Sequence, residues 1–434
     1  MKIRVPGDKS LTQRALIFSA LARGESRLSG LLHGGDASST AGAVRALGAE
    51  LGPLPEDGSE VVVRSPGMRE LAAPGEALDL GNSGTGTRLL LGALSGMPGQ
   101  ARVTGDASLR SRPMARVTVP LRAMGARFEG PDEGGRLPLT VHGSRPLSSL
   151  DWDSPVASAQ VKSSLLLAGV TGQAVVQLTE PRRSRDHTER LLHHLGASLV
   201  EHAVAGGWRV ELREPPESLP AFRFRVPGDI SSAAFFLTWA ALSSGDGGPL
   251  DEEGLVVEGV GLNPTRTAFL DVLVRMGARA EVRDGRDEAG EPVGDVAVRP
   301  GPLRATTVGE DEIPGLIDEL PLVAVLGTRA EGVTRITNAT ELRHKESDRI
   351  RALVDNLRAL GVEVEERPDG LEVQGTSEPL SGAVRSFGDH RIAMAFGVLG
   401  ALPGNDVHLD DPSVAAVSFP GFWSLLERVG RGDR

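Results

Sequence analysis

Lysine is scarce in this chain: only Lys2, Lys9, Lys162 and Lys345 occur, against forty-three arginines. Where nearly every surface cation is arginine, a lysine that persists is a candidate for a chemical need, set against the alternative of chance survival. Lys9 lies in PGDKS (residues 6–10) and Lys345 in HKESDR (344–349). A compact ammonium is a mobile point charge that can bridge two anions in a tight space, which a planar guanidinium does poorly. For Lys2 chance is the simpler reading.

The polar motifs fall at predicted helix starts. Lys9, Ser10 and Arg14 surround the beginning of a helix over about 10–22. In GNSGTGTR (81–88), Asn82 and Ser83 can cap a helix beginning near Thr85, with Arg88 in its first turn. In RRSRDHTERLL, Asp186 and Glu189 read as a capping box with Arg185 just outside it. In HKESDRI, Ser347 can cap, with Lys345 and Glu346 before it and Arg349 in the first turn. In FGDHRIAM, His390 and Arg391 open another helix. A cation at a helix N-terminus opposes the dipole, at a cost of roughly 0.3–1 kcal/mol each. Free N–H groups beside a cation are also what binds phosphate and carboxylate. Together these starts predict a strongly anionic substrate set, although any single arginine in a first turn can simply face solvent.

Two carboxylates stand out. Asp318 lies among apolar residues in EIPGLIDELPLVAVLG, and Glu346 lies between Lys345 and Ser347. Burial would raise the pKa of Asp318 and neighbouring cations would lower it. Such an aspartate beside a hydroxyl can act as a general base, and a glutamate among cations as a proton donor or relay. The alternatives are a helix cap for Asp318 and a salt bridge to Lys345 or Arg349 for Glu346. Glu319 reads as structural. The 81–86 glycine loop is neither a P-loop nor a dinucleotide fingerprint, and offers close backbone approach to a ligand. His193 and His194 have no third ligand at metal-binding spacing.

The elements that would position these residues repeat. A helix ending in Leu/Met/Val-Gly and followed by a short strand recurs at Gly48, Gly125, Gly196, Gly277, Gly361 and, more weakly, Gly430, at intervals of roughly 70–85 residues. Such a period marks a repeated supersecondary unit, with glycine in the left-handed position past each helix. Valine-rich strands are predicted at 60–64, 174–179, 208–212, 255–258, 294–298 and 371–374. Gly/Pro/acid-rich surface loops are predicted at 51–58, 130–136 and 284–294. VPGDKS (5–10) is echoed by VPGDIS (226–231). This predicts two crossings between similar lobes, one of residues 1–10 and 228–434, the other of 11–227, each with three β-α-β units. A single solenoid is the alternative.

The chain has 434 residues, 40% hydrophobic and 24% charged, with a net charge of −11 and no cysteine. That composition excludes disulfides and thiol chemistry and argues against binding nucleic acid or an anionic membrane. No apolar run approaches a membrane span. Residues 2–5 read as a strand, so no leader is expected and the cytoplasm is the expected compartment.

The motifs PGDKS-x-x-x-R, GNSGTGTR, LRSRPM (109–114), SAQVKSSLLLAG (158–169), RDHTE (185–189), IDELP (317–321), ELRHKESDR (341–349), GDHRIAM (388–394) and SFPGFW (418–423) closely resemble the 5-enolpyruvylshikimate-3-phosphate (EPSP) synthase family over nearly the whole chain. The SAQVK and RDHTE forms resemble the bacterial class II branch. The resemblance implies an α/β (α+β) fold of two lobes, each of three β-α-β-α-β-β units, an inside-out α/β barrel with the active site in the cleft between lobes. It implies transfer of the enolpyruvyl group of phosphoenolpyruvate to the 5-hydroxyl of shikimate 3-phosphate, by addition and elimination through a tetrahedral ketal phosphate.

By position, the resemblance assigns Lys9, Ser10, Arg14, Ser158, Gln160, Arg185, Asp318 and Lys345 to shikimate 3-phosphate. It assigns Lys9, Gly84, Arg112, Gln160, Arg349 and Arg391 to phosphoenolpyruvate. Asp318 would take the 5-hydroxyl proton, Lys345 would meet ring hydroxyls and developing charge, Glu346 would protonate the methylene carbon, and Lys9 completes the catalytic set. Asp36 and Asn82 would support these groups. No cofactor or metal is implied, and a monomer is expected. The chain departs from the class I pattern at Ala159, Glu341 and Val417. Gly84 matches the family position against which glyphosate packs. The rival enzyme reading is the UDP-N-acetylglucosamine enolpyruvyl transferase, which shares fold and chemistry but typically uses a loop cysteine. A non-catalytic repeat protein binding anionic partners is the rival of another class.

Overall fold

The computed structural model describes residues 1–243, 250 and 253–432. It divides into two compact units. The first comprises Met1–Pro6, Pro227–Arg286 and Pro292–Arg434, the second Gly7–Val226 with Asp287–Glu291. Lys9 and Ser10 thus belong to the second unit.

Each unit contains three small sheets among the described residues. The strand order repeats. Leu78–Asp79 runs parallel to Gly99–Thr104, which pairs antiparallel with Leu139–Gly143, itself antiparallel to Arg127–Glu129. The same order links Leu150–Asp153, Val176–Glu180, Gly207–Glu214 and Ser198–Val204. It recurs in the first unit for Thr307–Val308, Val333–Ile336, Gly370–Gln374 and Val364–Arg367. Parallel neighbours require a crossover, and a helix supplies it. The final hairpin follows a second helix. The sixth sheet is shorter, with only Ser381–Val384 parallel to Asp406–Leu409 around the helix His390–Gly400.

All six valine-rich strand predictions fall on strands. At the helix ends Gly48, Gly125, Gly196, Gly277 and Gly361 hold φ of 106°, 104°, 83°, 110° and 80°. Gly430 does not follow the pattern. It lies inside the helix Phe422–Arg431, and Gly432 takes the left-handed position with φ 76°. The stretch 284–294, expected as a loop, is mostly β-hairpin: strands Arg279–Glu288 and Glu291–Arg299 join at Ala289 and Gly290, both at positive φ. Buried Val293, Val296 and Val298 outweigh its loop-like composition. The stretch 130–136 is a tight turn in which Asp132 and Glu133 take left-handed φ of 50° and 54°.

Helices occupy the interior of each unit. Every residue of Ile230–Leu242 and of Leu320–Gly327 is buried. So is every residue of Gly84–Ser95 except Thr85, and of Ala159–Gly172 from Val161 onward. A helix apolar on all sides must be surrounded by protein. The sheets flank these helices separately, and among the described residues none closes on itself, so the arrangement has helices inside and sheets outside without a closed barrel. Among the described residues no helix is long and apolar enough to cross a membrane.

Two central helices of the second unit touch through backbone. A Cβ added at Gly92 would lie 2.1 Å from the Ser164 carbonyl oxygen on the helix Ala159–Gly172. Backbone in a filled interior has little room to yield. We expect Gly92→Ala to destabilise the protein by about 1–3 kcal/mol, measured by urea denaturation. Unchanged stability would contradict this packing.

Candidate active site

Because the central helices are buried, their polar residues collect at their first turns. In the second unit Asp8, rather than Lys9 or Ser10, caps the helix Lys9–Leu21, accepting from the Leu11 amide at 2.8 Å. Lys9 and Ser10 are half-buried, and the Lys9 ammonium is 3.4 Å from Asp36. Arg14 is buried. Its Nε donates to Thr188 Oγ1 and its Nη2 to Ser163 Oγ, each at 2.9 Å. Burial lowers the Arg14 pKa to about 10, so it remains a cation at neutral pH.

Ser83 caps the helix Gly84–Ser95, which begins one residue earlier than expected. Asn82 does not cap it. Its oxygen accepts from Arg112 Nη2 at 2.6 Å and its nitrogen donates to Asp106 at 2.8 Å. Ser158 caps the helix Ala159–Gly172. Gln160, in its first turn, accepts from Arg88 Nη1 at 2.6 Å and donates to Thr85 at 2.9 Å. Arg88 is lowered to about 10, first by burial and then by Arg116 and Arg112. Gln13 donates to Ser83 at 2.6 Å. The first turns of three buried helices are therefore fastened together, with Lys9, Ser10, Arg14, Asn82, Gly84, Arg88, Arg112, Ser158 and Gln160 among or beside them. Arg185 is half-buried just before the helix His187–His194.

In the first unit Asp318 precedes the helix Leu320–Gly327. Its carboxylate lies 3.8 Å from Lys345, 3.6 Å from Arg349 and 3.9 Å from Arg391. Arg391 also donates to the Asp318 carbonyl at 3.1 Å. Arg349, 1% exposed, donates to Asp389 at 2.8 Å and to Glu346 at 2.7 Å. Burial alone would lower the Arg349 pKa, but the charges of Asp389 and Glu346 more than offset it, so it is raised. Glu346 thus has the ion-pair geometry of the simpler alternative, and its partner is Arg349. Buried Glu319 accepts from Ser231 and lies 3.8 Å from Arg391. This joins the starts of the helices Ile230–Leu242, Leu320–Gly327 and His390–Gly400. Glu341 is exposed in the 3₁₀ turn Thr340–His344, its carboxylate 3.9 Å from Lys345, and Val417 is exposed at the end of another. Ala159 opens its helix.

Two further capping assignments differ from the sequence reading. Asp186 makes no side-chain cap. Its carboxylate accepts from Arg183 at 2.8 Å and Arg190 at 3.0 Å. Its expected partner Glu189 pairs with Lys162 at 2.7 Å, because a buried ammonium demands a counter-charge more strongly than a peptide N–H does. Asp348, not Ser347, caps Arg349–Ala359 through the Arg351 amide, and Ser347 donates to Asp389. Asp389 was missed as a functional residue. It lies forty positions from Arg349, and only its place before His390-Arg391 hinted at it.

Residues 1–426 match the family model of EPSP synthase (3-phosphoshikimate 1-carboxyvinyltransferase). This chain belongs to the EPSP synthase family. A Gloeobacter violaceus 3-phosphoshikimate 1-carboxyvinyltransferase is 48% identical over 429 residues, covering 99% of this chain and 96% of that protein. A Thermus thermophilus enzyme of the same name is 50% identical over 430 residues, with the same coverage. A solved EPSP synthase from Acinetobacter baumannii superposes with a TM-score of 0.88 at 38% identity, covering 99% of this chain and 95% of that one. The enolpyruvyl transferase NikO from Streptomyces tendae, at 20% identity, has a TM-score of 0.74 over 99% of this chain and 94% of that one and shares the fold.

Asp389 supplies a test of this family site. Burial alone would raise its carboxyl pKa, but the Arg349 charge and hydrogen bond outweigh that and hold it below the usual carboxylate range. A lowered native pKa gives stability that is present above the unfolded value, about 3.9, and lost as pH falls through the native one. Asn at 389 can still accept from the Arg391 amide but leaves Arg349 without its main counter-charge. We expect Asp389→Asn to cost about 3 kcal/mol at neutral pH and to flatten the acid limb of stability below about pH 4, both measured by urea denaturation. An unchanged midpoint would contradict the pairing.

Proposed function

We propose that this protein transfers the enolpyruvyl group of phosphoenolpyruvate to the 5-hydroxyl of shikimate 3-phosphate, releasing phosphate. One observation carries the reading. A chain that matches the EPSP synthase family over residues 1–426 holds Asp318 within 4 Å of Lys345, Arg349 and Arg391. Each substrate carries a phosphate and a carboxylate, and the helix starts described above offer cations and amides for such groups.

The residues then have the following roles. Asp318 accepts the proton of the 5-hydroxyl as its oxygen bonds to C2 of phosphoenolpyruvate. Glu346 delivers a proton to the methylene carbon, giving the tetrahedral ketal phosphate. Lys9 and Lys345 offset charge that develops on oxygen. The C–O bond to phosphate then breaks, the new methyl carbon returns a proton, and the enol ether forms. Lys9, Gly84, Arg112, Gln160, Arg349 and Arg391 hold phosphoenolpyruvate. Lys9, Ser10, Arg14, Ser158, Gln160, Arg185, Asp318 and Lys345 hold shikimate 3-phosphate. The cations are already fixed by neighbours such as Asp36, Asn82 and Asp389, so little reorganisation accompanies reaction. The class II branch is the subgroup whose SAQVK and RDHTE forms this sequence carries.

The direct test is phosphate release from phosphoenolpyruvate that requires shikimate 3-phosphate. Release that depends on UDP-N-acetylglucosamine would favour the rival transferase, and binding without turnover a non-catalytic role. Asp318→Asn should bind both substrates yet lose at least about a hundredfold in turnover, and full activity would remove Asp318 from the base role. Glyphosate should inhibit competitively with phosphoenolpyruvate. A Cβ at Gly84 would sit 3.1 Å from Arg112 Nη1 and 3.2 Å from Arg88 Nη1, so Gly84→Ala should weaken that inhibition. An unchanged rate at high glyphosate would refute the placement.

A further inference from the structure

Lys162 is the one lysine of the four that is fully buried, and neither the reaction nor the surface accounts for it. It sits in the second turn of the helix Ala159–Gly172, with 0% side-chain exposure, between two buried carboxylates. Its ammonium is 2.8 Å from Glu180 and 2.7 Å from Glu189. A third contact reaches the Ser184 carbonyl at 3.3 Å. Glu180 in turn accepts from the Ser184 amide at 2.7 Å and from the Ser184 hydroxyl at 2.7 and 3.0 Å. Burial opposes the charge on Lys162, yet its two carboxylates outweigh that and raise its pKa, so the cation is retained.

A buried ion cluster is a poor source of net stability, because desolvation consumes most of the Coulombic gain. What such a cluster specifies is geometry. The cluster ties the helix that begins at Ser158 to the segment around Arg185, with Glu180 at the end of the strand Val176–Glu180 as the bridge. The Lys162 helix begins at Ser158 and Gln160. Ser184 adjoins Arg185. Glu189 lies on the helix His187–His194 that follows Arg185 directly. The adjoining residues Ser163 and Thr188 hold Arg14, and Thr188 donates to Ser163 at 2.7 Å. None of these links reaches a residue assigned to phosphoenolpyruvate alone, and Gln160, assigned to both substrates, is held separately by Arg88 and Thr85.

We propose that Lys162, through Glu180, Glu189 and Ser184, is a positioning residue for shikimate 3-phosphate, setting Arg185 at a fixed distance from Ser158. The inference rests on the reading of the substrate given above. It assigns Lys162 no contact with substrate.

The test compares wild type, Lys162→Met and Ser184→Ala in the full-length enzyme. The readouts are the KM for each substrate and the calorimetric Kd for shikimate 3-phosphate alone. Misplacing a binding group by about 1 Å is enough for losses of this order, so Lys162→Met should raise the KM and Kd for shikimate 3-phosphate by at least about tenfold. The KM for phosphoenolpyruvate should stay within about twofold of wild type. Ser184→Ala leaves the ion cluster intact and removes only the hydroxyl staple. It should show the same selective change at about threefold, and it decides the matter alone if Lys162→Met does not fold. Wild-type affinity for shikimate 3-phosphate in a folded variant, or two KM values that rise in step, overturns the proposal. Absence of shikimate 3-phosphate-dependent turnover in the wild type would instead overturn the substrate assignment.

Discussion

A helix buried along its length can place polar groups only at its ends, and its first turn exposes N–H groups that no residue of the same helix can satisfy. Among the described residues each unit has three such helices at its centre. In the second unit they begin at Lys9, Gly84 and Ala159, and in the first at Ile230, Leu320 and His390. The apolar interior therefore gathers polar side chains at three adjacent helix starts. The sheets outside and the left-handed glycines at the helix ends serve to bring the chain back for the next repeat. The twin PGD turns show how one local design is put to two uses. After Asp8 stand Lys9 and Ser10, both half-buried. After Asp229 stand Ile230 and Ser231, and Ser231 is taken up by Glu319 and Arg266.

Cations at a helix start would repel the dipole and one another, so each is paired in advance. Asp36 faces Lys9, Asn82 holds Arg112, Gln160 holds Arg88, and Asp389 with Glu346 holds Arg349. These partners fix the direction in which each charge points. In enolpyruvyl transfer, where charge develops on oxygen and phosphate departs, groups oriented before the reaction contribute more than groups that must first move. Asp318, the proposed base, has three of these cations around it: Arg349, Lys345 and Arg391 stand 3.6, 3.8 and 3.9 Å from its carboxylate.

Much of the fold was readable from the chain. Scarce lysines drew attention to Lys9 and Lys345, which the structure sets beside Asp36 and Asp318, and the recurrent Leu-Gly phrase located five of six helix ends. Valine-rich runs located six of the strands. What escaped were pairings between residues far apart in sequence. Nothing local tells that Glu189 turns from its expected cap to Lys162, twenty-seven positions earlier, or that Asp389 rather than a near neighbour neutralises Arg349. Local composition also misled where tertiary burial overrode it, as in the hairpin at 279–299. Ser347 and Asp348 are equally good caps on paper. The bond from Ser347 to Asp389 leaves Asp348 to serve.

The account stands on these helix-start cations being the groups that grip the substrates. A crystal structure with shikimate 3-phosphate and glyphosate bound examines that without intermediaries. We expect the glyphosate anionic groups within hydrogen-bond distance of Arg112, Arg349 and Arg391, and the shikimate 3-phosphate anions on Ser10, Ser158 and Arg185. Ligands lodged elsewhere, with those side chains still engaged only by their own carboxylates and amides, would contradict it.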